Sequence, residues 1–160
     1  MTDPTQLEEK IALLEKEVVK LRDREEIREL RHKYWRCMRD RLADGIMEFF
    51  TENAELEFGH EFTLKGKKAI GDFYKDILGS QDGAKFIPQG HNPEIEMTSE
   101  TTAKGIWLLD VMNIDAGGDS GTRVGVQYDE WYVKESNGWH ISKMVNTYLY
   151  YEAVTLKEGP

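Results

Sequence analysis

Histidine, aspartate, tyrosine and arginine side chains are the groups in this sequence that could perform acid–base catalysis. Four histidines are present. His60 and His91 fall near predicted strand starts, where cavity mouths form, whereas His32 in RELRHK and His140 in the SNGWH turn region are predicted surface residues. In a water-poor cavity, burial and neighbouring charges move side-chain pKa values toward the working pH. His60 and His91 are therefore candidates for proton transfer, with a structural or solvent-exposed role as the alternative.

Two aspartates stand out by their neighbours. Asp40 closely follows a helical pattern that contains Tyr34, and Asp110 interrupts the apolar run IWLLDVMNI. A charge inside such a run needs a partner or a function. Strand alternation places Asp110 and Met112 on one face of a strand and their apolar neighbours on the other, so we expect Asp110 to face a helix or a subunit interface.

The sequence shows none of the common cofactor and metal motifs. It has no GxGxxG after a strand, no GxxxxGK[ST], no HExxH and no GxSxG. Its single cysteine, Cys37, lies within a helical apolar pattern, where packing is the usual role and nucleophilic catalysis the alternative. We therefore predict no cofactor and no metal.

Composition limits the class of protein. A length of 160 residues fits one domain, and a formal charge of -9 argues against a surface that follows nucleic-acid phosphates. One cysteine permits no intrachain disulfide, which indicates a reducing, cytoplasmic location. No apolar stretch is long enough for a membrane span. We expect neither nucleic acid nor membrane as a partner.

The first 25 residues are predicted to form an amphipathic helix that precedes the main domain. Two heptads are too few to stand alone, so this helix should lie against a neighbouring subunit or against its own domain. Its apolar residues recur at alternating spacings of four and three: Leu7, Ile11, Leu14, Val18 and Leu21.

The rest of the chain reads as an α+β domain at 26–154 with a tail at 155–160. Helical spacing continues through Tyr34 as far as Asp44-Gly45, and a second helix is predicted over 67–78. Alternating, aromatic-rich segments then predict antiparallel strands joined by tight turns at GGDSG and SNG. Helices should cover one face of a strongly curved sheet. The predicted strands are 54–58, 94–98, 101–114, 122–135 and 139–151, with a short helical turn at 46–50.

The segments EEIRELRHKYWRCM, GHNPEIEMTSETTAKGIW and YDEWYVKESNGWHIS resemble the SnoaL-like branch of the nuclear transport factor 2-like superfamily. Among its members the sequence is similar to bile acid 7α-dehydratase. The resemblance implies a cone-shaped α+β barrel open at one end. It also implies a homo-oligomer, a trimer more than a dimer, and elimination chemistry without metal or cofactor.

The resemblance transfers only one of the family's polar site residues unchanged. Tyr34 matches the family's tyrosine, while Arg39 stands in the aspartate's place with Asp40 one position later. Pro88 stands in the histidine's place. The positions of a later aspartate and arginine are Val111 and Tyr148.

Elimination would therefore need other groups from this chain. We expect Tyr34 and Tyr148 to donate or accept protons, Arg39 to stabilise developing negative charge, and Asp40 or His91 to act as base if either points inward. The expected pocket wall, with Phe58 and His60 at the rim, comprises Trp107, Leu109, Val111, Val124, Val126, Tyr128, Met144, Asn146 and Tyr148.

Such an aromatic, weakly polar wall suits a bulky aromatic or polycyclic substrate that carries hydroxyl groups. The sequence therefore predicts a cofactor-free lyase that removes water or a small carbon fragment from a phenolic, diaryl or steroid-like compound. Two alternatives stay open on the same fold. One is a non-catalytic binding protein, and the other is an isomerase or polyketide-type cyclase.

Overall fold

The computed structural model describes residues 3–59, 61–80 and 83–157, so His60 lies outside the described residues. The first element is one continuous helix, α1 (Pro4–Arg39). It begins where the Asp3 side chain accepts a hydrogen bond from the backbone N–H of Thr5 at 3.3 Å, with Pro4 in the first turn. Its 36 residues span roughly 54 Å, which joins the predicted extension to the segment that contains Tyr34 without a break.

The remaining elements follow the predicted order along the chain, with strand β2 as an addition. Helix α1 ends at Arg39 rather than at Asp44-Gly45, because the chain turns at Arg41, which has a positive φ of 59°. The elements are α2 (Ala43–Met47), β1 (Phe50–Phe58), β2 (Phe62–Lys65), α3 (Lys67–Gly79), β3 (Lys85–Met97), β4 (Thr102–Ile114), β5 (Ser120–Glu135) and β6 (Gly138–Thr155).

The α+β fold class is confirmed, and the sheet departs from the prediction in two respects, its strand directions and its closure. Its strand order is β2-β1-β6-β5-β4-β3, and β1 runs parallel to β6 while the other neighbours are antiparallel. The sheet is therefore mixed rather than antiparallel. Within the described residues β2 and β3 are its two edges, so the curved sheet does not close on itself.

Helices α1 and α3 pack on one face of this curved sheet, which we call the inner face. Alternation along β4 works as expected: Trp107, Leu109 and Val111 are buried on the inner face. Asp110 lies on the outer face, where it pairs with Arg123 of β5, whose Nε donates to the carboxylate at 3.0 Å. That hydrogen bond lowers the pKa of Asp110.

The middle of α1 is anchored to the sheet by a buried carboxylate. Asp23 accepts hydrogen bonds from Trp139 Nε1 at 3.0 Å and from Lys134 Nζ at 2.5 Å. Next to this contact, His140 is buried rather than at the surface as predicted, with Nδ1 at 3.0 Å from the carbonyl oxygen of Gly138. At the tight turn between β5 and β6, the His140 ring folds back over the backbone of the turn. Strand alternation alone does not predict this burial.

Over the part of the chain that the structure describes, no helix has an apolar stretch that could cross a membrane.

Candidate active site

An arginine and a glutamate meet inside the domain, between α1 and the inner face of the sheet. Arg31 of α1 and Glu130 of β5 have fully buried side chains, and Arg31 Nη1 lies 3.2 Å from Glu130 Oε1. Arg31 is carried on the helix stripe that also buries Ile27 and Tyr34, at spacings of four and three. A charge pair removed from water in this way is costly unless it is well compensated, so its presence in a core calls for a function.

Two further side chains extend the pair along the inner face of the sheet. Tyr132 Oη donates a hydrogen bond to Glu130 Oε2, and Trp107 Nε1 donates to Tyr132 Oη at 3.0 Å. Gly105 leaves room for this contact, because a Cβ there would lie 3.0 Å from the Tyr132 ring. The result is a continuous chain of polar groups from Trp107 to Arg31.

Aromatic rings surround the guanidinium of Arg31. Its Cζ lies 4.3 Å from the ring centroid of Tyr34, 4.6 Å from that of Trp35 and 5.1 Å from that of Tyr128. These distances are those of cation–π interactions, which are strongest where the cation is desolvated. Trp35 is held in turn by Gly90 of β3, where a Cβ would lie only 2.0 Å from the indole ring.

Two tyrosine hydroxyls meet on the other side of Arg31. Tyr34 Oη of α1 and Tyr74 Oη of α3 share a hydrogen bond of 2.5 Å, and both rings are buried. Each hydroxyl can act as donor or acceptor. Together with Asn146 of β6 these groups form what we call the interior cluster: Arg31, Tyr34, Tyr74, Trp107, Tyr128, Glu130, Tyr132 and Asn146, each no more than 9% exposed.

Several polar atoms of the interior cluster have unused hydrogen-bonding capacity. Nε and Nη2 of Arg31 and Oδ1 of Asn146 are buried without a hydrogen-bond partner among the described residues. Glu130 Oε1 also lacks a hydrogen bond of good geometry, although it lies within ion-pair distance of Arg31. Buried polar groups are nearly always satisfied in native proteins, so this concentration of free donors and acceptors marks a place where a polar ligand can bind.

The electrostatics of the interior cluster suit proton transfer. Burial raises the pKa of Glu130 above its ordinary value, opposed by the charge of Arg31 and by the hydrogen bond from Tyr132. Burial likewise raises the pKa of Tyr34, opposed by Arg31 and by the bond to Tyr74. Burial works to lower the pKa of Arg31, but Glu130 and the tyrosines hold it above its usual value. At neutral pH the cluster therefore combines a fixed cation with protonated phenols.

Most of the predicted wall residues lie on the inner face of the sheet as expected. The buried ones include Val126 of β5 in addition to Trp107 and Tyr128, while Val124 and Phe58 are half-buried. Phe58 packs against Phe62 and Phe73 in an aromatic group between β1, β2 and α3. The other buried wall residues are Leu109, Val111, Met144 and Asn146.

Three of the predicted catalytic residues lie outside the interior cluster. Arg39 and Asp40 sit at the exposed end of α1, where Arg39 Nε donates to Asp40 Oδ1 at 2.7 Å. His91 is exposed and pairs with Leu108 in the β3–β4 register, on the outer face. Neither Asp40 nor His91 points toward the interior. Helix α1 ends at the exposed Arg39, so Asp40 lies next to solvent, and strand alternation places His91 on the outer face.

Tyr148 occupies an intermediate position. It pairs with Val126 across β5 and β6, at the rim of the inner face, and it is 54% exposed. Partial burial and then the nearby charge of Glu61 raise its pKa. Of the five predicted catalytic residues, only Tyr34 belongs to the interior cluster.

Sequence reasoning missed the ionic centre of the site, although both signals are present in the sequence. Arg31 lies in the charged stretch RELRHK, yet it falls on the apolar stripe between Ile27 and Tyr34. Glu130 alternates with Tyr128 and Tyr132 on the inner face of β5. On each of these two elements, a charged residue falls at a position that the pattern of buried residues assigns to the interior. This feature of the sequence could have indicated the ion pair.

Among residues 3–59, 61–80 and 83–157, no three His, Cys, Asp or Glu side chains are grouped so that they could hold a metal ion. Cys37 is half-buried, and burial raises the pKa of its thiol.

Comparison with known proteins agrees with this architecture. Residues 19–145 match the model of the SnoaL-like domain family. A scytalone dehydratase-like protein from Novosphingobium aromaticivorans is similar in structure, with a TM-score of 0.79, 15% identity, and coverage of 87% of this chain and 92% of that one. The hexachlorocyclohexane dehydrochlorinase LinA-type3 from Novosphingobium barchaimii follows with a TM-score of 0.76, 19% identity, and coverage of 86% and 94%.

A third similar structure is a ketosteroid isomerase-like protein from Erwinia carotovora atroseptica. Its TM-score is 0.66 at 15% identity, and the match covers 78% of this chain and 94% of that one. At such identities the structures share the fold. Because the family model covers most of the chain, the protein belongs to the SnoaL-like domain family.

Proposed function

We propose that this protein is a cofactor-independent lyase that eliminates water or a small carbon fragment from a bulky hydroxylated aromatic or steroid-like compound. The observation that supports this most strongly is the buried Arg31–Glu130 pair beside Tyr34 and Tyr132. It supplies an acid, a base and a fixed cation, all of them shielded from bulk water. This assignment replaces Asp40 and His91 with Glu130 as the base.

The reaction would use the groups of the interior cluster in definite roles. The Glu130 carboxylate takes a proton from the substrate, either from carbon or from a phenol. Tyr34 Oη gives a proton to the departing hydroxyl, which leaves as water, and Arg31 stabilises the negative charge that develops on the substrate. The proton held by Glu130 then passes to the Tyr34 phenolate oxygen, which restores both residues, so substrate yields product and water with no net change in the protein.

The raised pKa values favour these roles. A glutamate with a raised pKa is a stronger base than an ordinary carboxylate. Tyr34, whose pKa is raised, keeps its proton until a leaving group needs it. Elimination and proton transfer are also what the names of the similar dehydratase-like, dehydrochlorinase and isomerase-like proteins describe.

The surroundings favour a flat substrate. Trp35 and Trp107 meet edge to face with ring centroids 5.1 Å apart, and Tyr34 and Tyr128 border the same guanidinium. Large aromatic walls hold ring systems by stacking, and a few polar groups fix their orientation. The free donors of Arg31 and the free acceptor of Asn146 are suited to hydroxyl groups on such a ring. The predicted cytoplasmic location and the bulky aromatic or polycyclic ligand belong to this proposal.

The proposal is tested by a thermal-shift and mass-spectrometry screen without added cofactor. The library contains hydroxylated phenolic dimers, steroids and polyketide-like aromatics, each with a matched analogue that lacks the leaving hydroxyl. We expect a compound that raises Tm and also loses the mass of water or formaldehyde, while its analogue raises Tm and stays unchanged. Conversion to a product of equal mass would identify an isomerase instead. Stabilisation without any reaction would identify a binding protein.

A further inference from the structure

The N-terminal half of α1 presents a row of apolar side chains to solvent. We call this row, Leu7, Ile11, Leu14, Val18 and Leu21, the helix seam. Its members are between 47% and 64% exposed, so no other part of the described chain covers them. A continuous exposed row of large aliphatic side chains usually marks an interaction surface.

The chain's own domain is on the wrong side of the helix to cover the seam. Helix α1 turns its C-terminal half toward the sheet through Asp23, Ile27, Tyr34 and Met38. At 100° per residue, the mean direction of the seam lies about 170° away from that of this buried stripe. Because α1 is one unbroken helix, the two directions are fixed relative to each other. The alternative of docking on its own sheet is therefore excluded by the helix phase.

The seam has the residue order of a particular kind of coiled coil. Ile11 and Val18 fall at position a of the heptad, and Leu7, Leu14 and Leu21 fall at position d. A β-branched residue at a with leucine at d favours two parallel strands over three or four. We propose that the helix seam binds the same segment of a second copy of this chain as a parallel two-stranded coiled coil.

The charges beside the seam agree with this partner. In a parallel pair, each residue at g faces the residue at e five positions later on the other helix. Lys10 of one helix would then face Glu15 of the other, and Glu17 would face Arg22 in the same way. Because the pair of helices is two-fold symmetric, each of these contacts occurs twice. All four contacts join opposite charges. The like-charged combination of Asp3 with Glu8 falls at the first turn, at the end of the seam.

The existing contacts of these side chains do not oppose the pairing. Glu17 accepts a hydrogen bond from Lys20 of its own helix at 2.8 Å, and both side chains are more than half exposed. Such exposed pairs are weak and exchange readily. With five apolar layers the coiled coil is short, so we expect the paired helices to separate on dilution.

The experiment compares two neighbouring leucines of equal exposure. Leu14 is on the seam and Leu13 is off it, and both are 64% exposed. Sedimentation velocity is measured over a wide concentration range for the wild type, Leu14→Glu and Leu13→Glu. We expect Leu14→Glu to halve the assembled mass, whatever further contacts the domains make, and Leu13→Glu to leave it unchanged. Equal masses for the three proteins, or equal losses in both variants, would overturn the proposal.

Orientation is tested by disulfide formation in a Cys37→Ser background. In a parallel pair, Val18 lies opposite itself, so V18C should be cross-linked by mild oxidation. K16C, which points away from the seam on the same helix, should stay unlinked. Linkage of neither variant, or of both at the same rate, would contradict the parallel arrangement. Neither test depends on enzymatic activity, so the coiled coil and the proposed function stand or fall separately.

Discussion

Replacing Arg31 by methionine should lower the free energy of unfolding by about 3–5 kcal/mol, because it leaves the Glu130 carboxylate buried without its cation. Glu130→Gln should cost a similar amount, since a buried guanidinium then lacks its counter-charge. The double variant Arg31→Met, Glu130→Gln should lose much less than the sum of the two, because no charge is left uncompensated. Denaturant unfolding of the four proteins measures this cycle.

The matched control is the other arginine–carboxylate pair of the sheet. Arg123 and Asp110 make a closer contact than Arg31 and Glu130, yet they lie on the outer face with access to water. Arg123→Met and Asp110→Asn should therefore change stability little, and their effects should add. If the interior pair behaved like the outer one, Arg31 and Glu130 would not be the desolvated ion pair on which the proposed function depends.

The second large effect is expected on the turnover rate of the compound that the wild-type protein converts. Glu130→Gln keeps the shape of the side chain but removes its basicity, so the rate should fall by about 10²–10⁴-fold, the usual range for loss of a general base. Asp129→Asn is the matched control, because Asp129 is the adjacent residue on the opposite face and accepts a hydrogen bond from Gln127 at 3.0 Å. Steady-state kinetics should show Asp129→Asn close to wild type.

A conservative variant covers the case in which Glu130→Gln fails to fold. Tyr132→Phe removes the hydrogen bond that stabilises the Glu130 carboxylate, so the pKa of Glu130 should rise further. Activity that requires ionised Glu130 increases as pH rises through that pKa. The acid limb of the pH–rate profile should therefore move to higher pH in Tyr132→Phe. An acid limb that stays unmoved in a folded and active Tyr132→Phe variant would remove Glu130 from the mechanism.

Local patterns in the sequence predicted the elements that local patterns determine. Helix α3 and the strands β4 to β6 lie within a few residues of their predicted bounds, because helical spacing or alternation is uninterrupted there. Strand β3 begins at Lys85 rather than at 94, since Pro88, Gly90 and the irregular register between His91 and Glu94 disrupt the alternation. Strand β2, which forms a hairpin with β1, was not predicted, because it has only four residues.

Contacts between distant segments explain what the sequence could not predict. The parallel pairing of β1 with β6 joins Glu55 to Lys143 and leaves no local mark in either strand. Whether Asp40 faced the interior depended on where α1 stops, and its stop at Arg39 leaves Asp40 in a solvent-exposed turn. The meeting of Arg31 with Glu130 required the relative position of a helix and a strand 99 residues apart in sequence.

The most direct measurement is a crystal structure of the wild type with the product, or with an unreactive analogue, of the compound it converts. We predict that the ligand's ring lies against Trp35 and Tyr128, with a ligand oxygen within about 3 Å of Glu130 or Tyr34, the reach that proton transfer requires. A ligand found at the exposed end of α1, beside Arg39 and Asp40, or on the outer face near His91, would contradict the assignment of the interior cluster as the active site.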